Sequence, residues 1–432
     1  MDPTPTSLGG RLARVRGSRL MRQNLVLFVG GLVAGVGGFV YHAVAGRVLG
    51  PALYDEVATL IALYAVLMTP TYILIIVLGR YSATLQAQQN RGAIRHIMLR
   101  ASRLMAVPSL LAIVVTALVA QPVAAFLHFG SAVPLIWLGV AVAVVWQLAV
   151  PRGVLQGVQH FTALSANLSL EMVIRTSVLY LLLVAGLGVT GSMVAVLAGV
   201  AFTYGLGMVS LKDVLRLPGN RVPLRAMAGF SATAAAGTLG ILLLYNLDVI
   251  LSAHFLAKHD AGIYAGLNKI GTIIYFLTLS VSQVLFPRVV EAIAKNTHPG
   301  RLLLMSAGIM AMLGLGAIAV FGVLPGLVVS HLFGSAFRDA IPYVLPVGVI
   351  GLALSLDNLL LQFFMAAHDR WFVPLLAGAC VLQPALIVLF HSGVGAIVAD
   401  ELIALCVLLG ILTIRCLLLM PRLTPESVRE RL

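Results

Sequence analysis

Charge is what this sequence has least of. Asp, Glu, Lys and Arg make up only 10% of its 432 residues, apolar residues make up 60%, and the mean hydropathy is +1.04. A soluble globule has about a quarter of its residues charged, and so little polar surface cannot wrap a core this large. A soluble architecture is excluded, and the chain reads as a polytopic membrane protein. Cysteine is nearly absent as well. Cys380, Cys406 and Cys416 fall inside apolar runs without metal-ligand spacing, so they read as small core residues. No GxxxxGK[ST], HExxH or GxSxG occurs. The largest loop, around Arg80–Arg103, spans about 24 residues, which leaves no room for a nucleotide-binding domain. Neither an enzyme nor a cofactor is expected.

Long apolar runs are what is present. A spanning helix takes about 20 apolar residues, and cutting at polar and turn-rich breaks gives about twelve. They cover 24–47, 56–80, 104–128, 133–157, 163–188, 190–213, 226–252, 262–287, 302–330, 340–366, 372–391 and 394–419. Hydrocarbon offers no water to the backbone, so spanning segments must be helices or closed barrels. Runs this long with little period-2 alternation are helices. The first run holds "GGLVAGVGG", Gly30–Gly38, a composition that suits close helix contact. It follows Arg11, Arg14, Arg16, Arg19 and Arg22, and "AVA" at Ala43–Ala45 resembles a signal-peptidase site. The run exceeds the roughly 7–15 residues of a signal core, so it is expected to be a retained helix.

The formal charge of +13 is distributed unevenly. Of 28 Lys and Arg, 23 fall on the N-terminal side of the predicted topology and three (Arg47, Lys258, Arg338) on the other, with Arg175 and Lys269 inside runs. Short cytoplasmic loops collect Lys and Arg, so both termini are expected to be cytoplasmic. The basic balance therefore needs no nucleic acid.

The chain also repeats itself weakly. Leu49, Ala58 and Leu60 correspond to Leu256, Ala265 and Leu267 at a shift of 207, and Arg80 to Arg288 at a shift of 208. Six helices per half give two parallel lobes related by an axis along the membrane normal. The expected divisions are a basic tail 1–23, a lobe 24–213, a linker 214–225, a second lobe 226–419 and a tail 420–432, with a central cavity between the lobes. The turn "VLGPALYDEVATL", Val48–Leu60, pairs with "FLAKHDAGIYAGL", Phe255–Leu267, and its acids Asp55 and Glu56 are expected to be wet.

"GRVLGPALYDEVATL" is similar to the element that opens polysaccharide flippases. "YNLDVILSAHFLAKHDAGIYAGLNKI" and "LFPRVVEA" resemble the hallmark of that family's second half. The family is the oligosaccharide-lipid flippase branch of the multidrug/oligosaccharidyl-lipid/polysaccharide exporter superfamily. One departure is Asp55, where the family usually has Gly. The resemblance implies a multi-pass flippase of the bacterial inner membrane, working by alternating access. It implies a polyprenyl-diphosphate-linked oligosaccharide as substrate, membrane lipid as surroundings, and other polysaccharide-assembly proteins as further partners. With no ATPase in the chain, the drive would be H+ or Na+, the membrane potential, or consumption of product. The rivals are a cation-coupled multidrug antiporter, a lipid II flippase and a membrane polymerase or ligase of lipid-linked sugars.

Ionisable groups deep in a membrane are costly and must be paired or line a wet cavity. Glu171 and Arg175 stand at i and i+4 in the fifth run. They read either as a self-neutralising pair or as a cavity site where Arg175 meets a diphosphate. Asp248 and Lys269 have matching depths in an antiparallel hairpin, and read as a structural pair or as a substrate or ion site. Asp357 and Asn358 form either a coupling site or a polar interhelical contact. His42 is a packing residue or a titrating one. Arg47 reads as an interfacial anchor, as a guard of the outward mouth, or as a substrate ligand. Arg80 and Arg288, which end corresponding runs, are anchors first and headgroup recruiters second.

Overall fold

Apolar segments without water must close their own backbone hydrogen bonds, and this chain does so in helices. A computed structural model describes residues 8–219, 232–294, 299–367 and 369–420, with no strand among them. Half of the expected linker 214–225, and the tail 420–432 beyond Met420, lie outside the described residues. The first half holds α1 Leu8–Leu67, α2 Thr69–Ala87, α3 Arg91–Phe126, α4 Val133–Gly157, α5 Phe161–Val184, α6 Gly188–Ser210 and the short α7 Lys212–Leu215. The second holds α8 Ala232–Phe255, α9 Lys258–Ala294, α10 Gly300–Val323, α11 Pro325–Leu332, α12 Val344–Ala366, α13 Phe372–Leu389 and α14 Val394–Leu419. A 3-10 helix at Ser335–Tyr343 precedes α12.

The continuous assignment of α1 hides a reversal. Gly50 takes φ 70°, a left-handed conformation that glycine reaches without penalty, and Pro51 starts the next arm with its φ already fixed. In a straight helix His42 and Tyr54 would stand about 18 Å apart. Instead, His42 Nδ1 lies 3.0 Å from the Tyr54 hydroxyl, so the chain folds back at Gly50. Ten apolar stretches among the described residues are long enough to cross a membrane. One of them, Val26–Ala87, contains this reversal and supplies two passes, while the shorter Leu239–Phe255 in α8 supplies another. That makes twelve passes.

The observed α4 and α14 coincide with the runs 133–157 and 394–419. Elsewhere the boundaries move. The run 302–330 is divided at Leu324–Pro325, where proline brings no N–H to the helix. Helices α2 and α9 continue past Arg80 and Arg288 to Ala87 and Ala294, so both arginines project from exposed helix sides rather than ending the helices.

Within the first half α1 packs on α5, and α4 on α2, α3 and α6; within the second, α8 packs on α13, and α12 on α9, α10 and α14. The repeat is visible in atomic detail. Thr176 Oγ1 donates to the Gly37 carbonyl at 3.3 Å, and Gln383 Nε2 donates to the Leu244 carbonyl at 2.8 Å. Both members of the second bond lie 207 positions beyond those of the first. The halves meet where α1 faces α8 and α9. One buried apolar cluster belongs to both halves, whereas the arginine-rich end has a separate cluster in each. The apolar packing shared by the two halves therefore lies at the arginine-poor end.

Close crossings rely on missing side chains. A Cβ at Gly157 would run into the Gly79 carbonyl and Ser82 Cβ of α2, whereas nothing lies within 4 Å of one at Gly31. Gly157→Val is expected to cost about 1–3 kcal/mol by overpacking and to lower the unfolding temperature in detergent by several degrees. Gly31→Ala should leave it unchanged. Equal melting of both variants would remove the α2–α4 crossing as the explanation.

Candidate functional site

The membrane-buried charges of the first half sit on α4 and α5. Glu171 and Arg175 share a face of α5, since Gly199 of α6 packs against the Glu171 backbone and the Arg175 Cβ. They are not each other's partners. Arg152 of α4 donates to Glu171 Oε2 in a buried ion pair, and its Nε donates to Asn167 Oδ1 at 2.8 Å. Asn167 in turn donates to the Thr203 carbonyl at 2.7 Å, which fixes its amide. Breaking such a pair from one side strands a buried charge, at about 3–5 kcal/mol.

Arg175 is thereby left without Glu171. Its guanidinium lies 4.3 Å from the Tyr41 ring centroid and 5.9 Å from that of Tyr64. Its Nε has no hydrogen-bond partner. A desolvated cation over an aromatic face gains about 2 kcal/mol, enough to hold the side chain without neutralising it. The first half thus buries two guanidinium groups with one carboxylate on α4 and α5.

The second half answers with a cation of the same kind. Lys269 Nζ lies 5.1 Å from the Tyr245 ring centroid, and the Tyr245 hydroxyl bonds Thr272. The expected Asp248–Lys269 ion pair does not form. Asp248 Oδ2 accepts from the Tyr264 hydroxyl at 2.7 Å and from Asn268 Nδ2 at 2.8 Å, and Lys269 acts on it only at longer range. Between the halves, His42 stands within electrostatic reach of both Arg175 and Lys269. The two aromatic-bound cations therefore both lie near His42, where the halves meet.

Behind Lys269 lies a cavity of about 20 Å³, room for one water-sized occupant. Asp248, Asn268, Tyr264 and Glu401 contribute to its lining. Asp248 Oδ1 and Asn268 Oδ1 have no hydrogen-bond partner, and Glu401 is held by Gln383 Nε2. In α12, both Asp357 oxygens and Asn358 Nδ2 are buried without partners. Among the described residues no three His, Cys, Asp or Glu converge as a metal site. The cavity wall is largely apolar, with the Asp248 and Glu401 carboxyl groups set into it.

The arginine-poor end is sealed. Arg47 reaches across the halves, its Nε donating to the Leu332 carbonyl at 3.1 Å and its Nη2 to the carbonyl of His331. His254, 207 positions later, reaches back: its Nδ1 lies 2.7 Å from the Phe126 carbonyl and its ring stacks on Phe126. Lys258 Nζ pairs with Glu56 Oε1 at 2.6 Å, and the Gly130 N–H donates to the same oxygen at 3.0 Å. Tyr54 packs on Phe333 and Phe337. Asp55 and Glu56, expected to be wet, are 0% and 3% exposed, because the opposing lobe covers their turn. Arg47 spends its fork on this closure rather than facing the central space.

Sequence reasoning overlooked several of these residues. Arg152 falls among the loop cations of 151–162, yet it is buried in α4. Asp400 and Glu401 sit early in the run 394–419, where two acids in an apolar stretch were a legible sign of a site. The cavity tyrosines carried no sequence signal, since aromatic residues are common in membrane helices.

A family model described as "Polysaccharide biosynthesis protein" matches residues 47–342, more than half of the chain. No curated protein matches the sequence. Among solved structures, an inward-facing multidrug resistance MATE family transporter of the MOP superfamily superposes with a TM-score of 0.73 at 12% identity, over 90% of this chain and 95% of that one. The lipid II flippase MurJ in an inward closed conformation gives a TM-score of 0.66 at 11% identity, over 94% and 91%. A MOP superfamily transporter from Pyrococcus furiosus, described by the reverse polarity of its binding pocket, gives 0.64 at 14% identity, over 94% and 96%. At these identities the likeness is one of fold.

Proposed function

For a chain that belongs to the polysaccharide biosynthesis protein family and folds as a MOP-superfamily transporter, we propose that it flips a polyprenyl-diphosphate-linked oligosaccharide across the bacterial inner membrane. The observation that supports this reading is the pair Arg175 and Lys269, on opposite halves of the chain, each on a tyrosine face, neither ion-paired among the described residues, and both within electrostatic reach of His42. A cavity that keeps cations unneutralised is matched to an anion. Arginine's planar fork suits phosphate oxygens, and the buried Tyr41 and Tyr64 rings hold it without cancelling its charge. A diphosphate-sugar headgroup cannot cross about 30 Å of hydrocarbon unaided, so it would ride in the cavity while the polyprenyl chain stays in lipid.

The arginine-rich end is cytoplasmic on the positive-inside rule, so both termini face the cytoplasm. On this reading the lipid would enter from that side, because the contacts between the halves gather at the opposite, arginine-poor end. On this reading a coupling H+ or Na+ would bind at the small cavity that Asp248 and Glu401 help to line. Arg80 and Arg288, both exposed on α2 and α9, would attract anionic headgroups on this reading.

The test is reconstitution. Proteoliposomes would carry a fluorescent undecaprenyl-diphosphate saccharide, with quenching of one leaflet reporting its transfer. Transfer at least tenfold above empty vesicles is expected, together with no uptake of a cationic drug such as ethidium under a H+ or Na+ gradient. Gradient-driven ethidium transport without lipid transfer would give the chain to the antiporter reading.

A further inference from the structure

Glu171 has two arginines within reach and is bonded to one. It could pair with Arg175, one helical turn away on the same face of α5. Instead it is engaged by Arg152 from α4, which is itself oriented by Asn167, whose amide is anchored on the Thr203 carbonyl. Three helical side chains and one backbone carbonyl thus cooperate in an ion pair that lies outside both the lobe interface seal and the small cavity at Asp248. Tyr64 stands within electrostatic reach of all three charges, so they form one local field. We infer that Arg152 is a positioning residue: by occupying Glu171 it keeps Arg175 uncompensated and available to an anionic headgroup.

The physical logic is competition for one carboxylate. Arg152 has only an 8% exposed side chain, and its Nε and Nη2 are both bonded within the lobe, so it is poorly placed to contact a ligand itself. Removing its charge would leave Glu171 buried with a single cation in reach. Pairing across one turn would then satisfy Glu171, draw Arg175 off the Tyr41 and Tyr64 rings, and cancel the charge on which anion binding depends. Removing Glu171 as well should undo the damage, because no carboxylate would then remain to capture Arg175. A residue that touched the ligand could not be bypassed this way. The inference rests on the reading of Arg175 as the anion anchor, and its test separates the two.

Purified protein in nanodiscs would be titrated with undecaprenyl diphosphate, with binding read by native mass spectrometry. Arg152→Gln should weaken binding at least tenfold. Glu171→Gln should bind at least as tightly as the wild type, and the double variant Arg152→Gln/Glu171→Gln should return to within about threefold of it. Thermal unfolding without lipid reads the pairing separately. A coupling between positions 171 and 175 should appear in the Arg152→Gln background and be absent from the wild-type background. A folded double variant as weak as Arg152→Gln, a weak Glu171→Gln, or no switch in coupling would each overturn the inference. If the coupling switches but Arg175→Gln binds the lipid like the wild type, the pairing stands and the anchor reading falls.

Discussion

Arg175→Ala is expected to abolish lipid transfer, to less than a tenth of the wild-type rate, with the protein still folded and inserted. The expectation follows from what the side chain does not do. It neutralises no carboxylate, because Glu171 belongs to Arg152, so its removal strands no buried charge. What is lost is a contact with two ring faces, worth about 2 kcal/mol or less per ring, and the charge the cavity offers to an anion. Stability should therefore fall modestly while function falls steeply. Arg175→Lys sharpens the point. An ammonium keeps the charge but loses the two-point fork that matches phosphate oxygens, so an intermediate rate, about a tenth to a third of wild type, is expected. Transfer rates for both variants, normalised to protein per vesicle, would check this. Wild-type transfer by Arg175→Ala would remove Arg175 from substrate binding.

The same residue shows how far the sequence could be read. That α5 would be a helix carrying Glu171 and Arg175 on one face followed from run length and the i, i+4 spacing, both local properties of the chain. The choice of partner did not follow. Spacing describes neighbours on one helix, whereas Glu171 is claimed by an arginine from a different helix, 19 positions earlier. Asp248 repeats the lesson. Depth matched it to Lys269, but Tyr264 and Asn268 satisfy it first. Helices α4 and α14 could be placed to the residue because Gly, Ser and Pro punctuate their starts, at Gly130–Pro134 and Gly393. The reversal at Gly50 was visible as a Gly-Pro pair, but its burial was not. Whether an acidic turn is wet depends on the lobe that covers it, and that lobe lies 200 residues away.

That covered turn yields the second large effect. Glu56→Cys and Lys258→Cys, introduced together in a background lacking Cys380, Cys406 and Cys416, would place thiols on either side of the inter-lobe ion pair. A short reductant-cleavable bifunctional reagent should join them and reduce lipid transfer to less than a tenth, with recovery after reduction. Each single cysteine, treated alike, should keep most of its activity. The reasoning is geometric. The polar and ring contacts between lobes among the described residues gather at this end: Arg47 on the 331–332 carbonyls, His254 on the 126 carbonyl, Lys258 on Glu56, and Tyr54 on Phe333 and Phe337. A headgroup held between Arg175 and Lys269 can leave toward this side only if these contacts part. The Arg47 and His254 contacts also stand at equivalent positions of the internal repeat, 207 residues apart. His42 links the two regions, bonding Tyr54 of the seal while standing near both cavity cations. An anion arriving between those cations therefore changes the field at a residue that holds the seal. A cross-linked protein that still transfers lipid at the wild-type rate would mean that the substrate leaves by another route and that the seal at Glu56 and Lys258 never opens in the cycle.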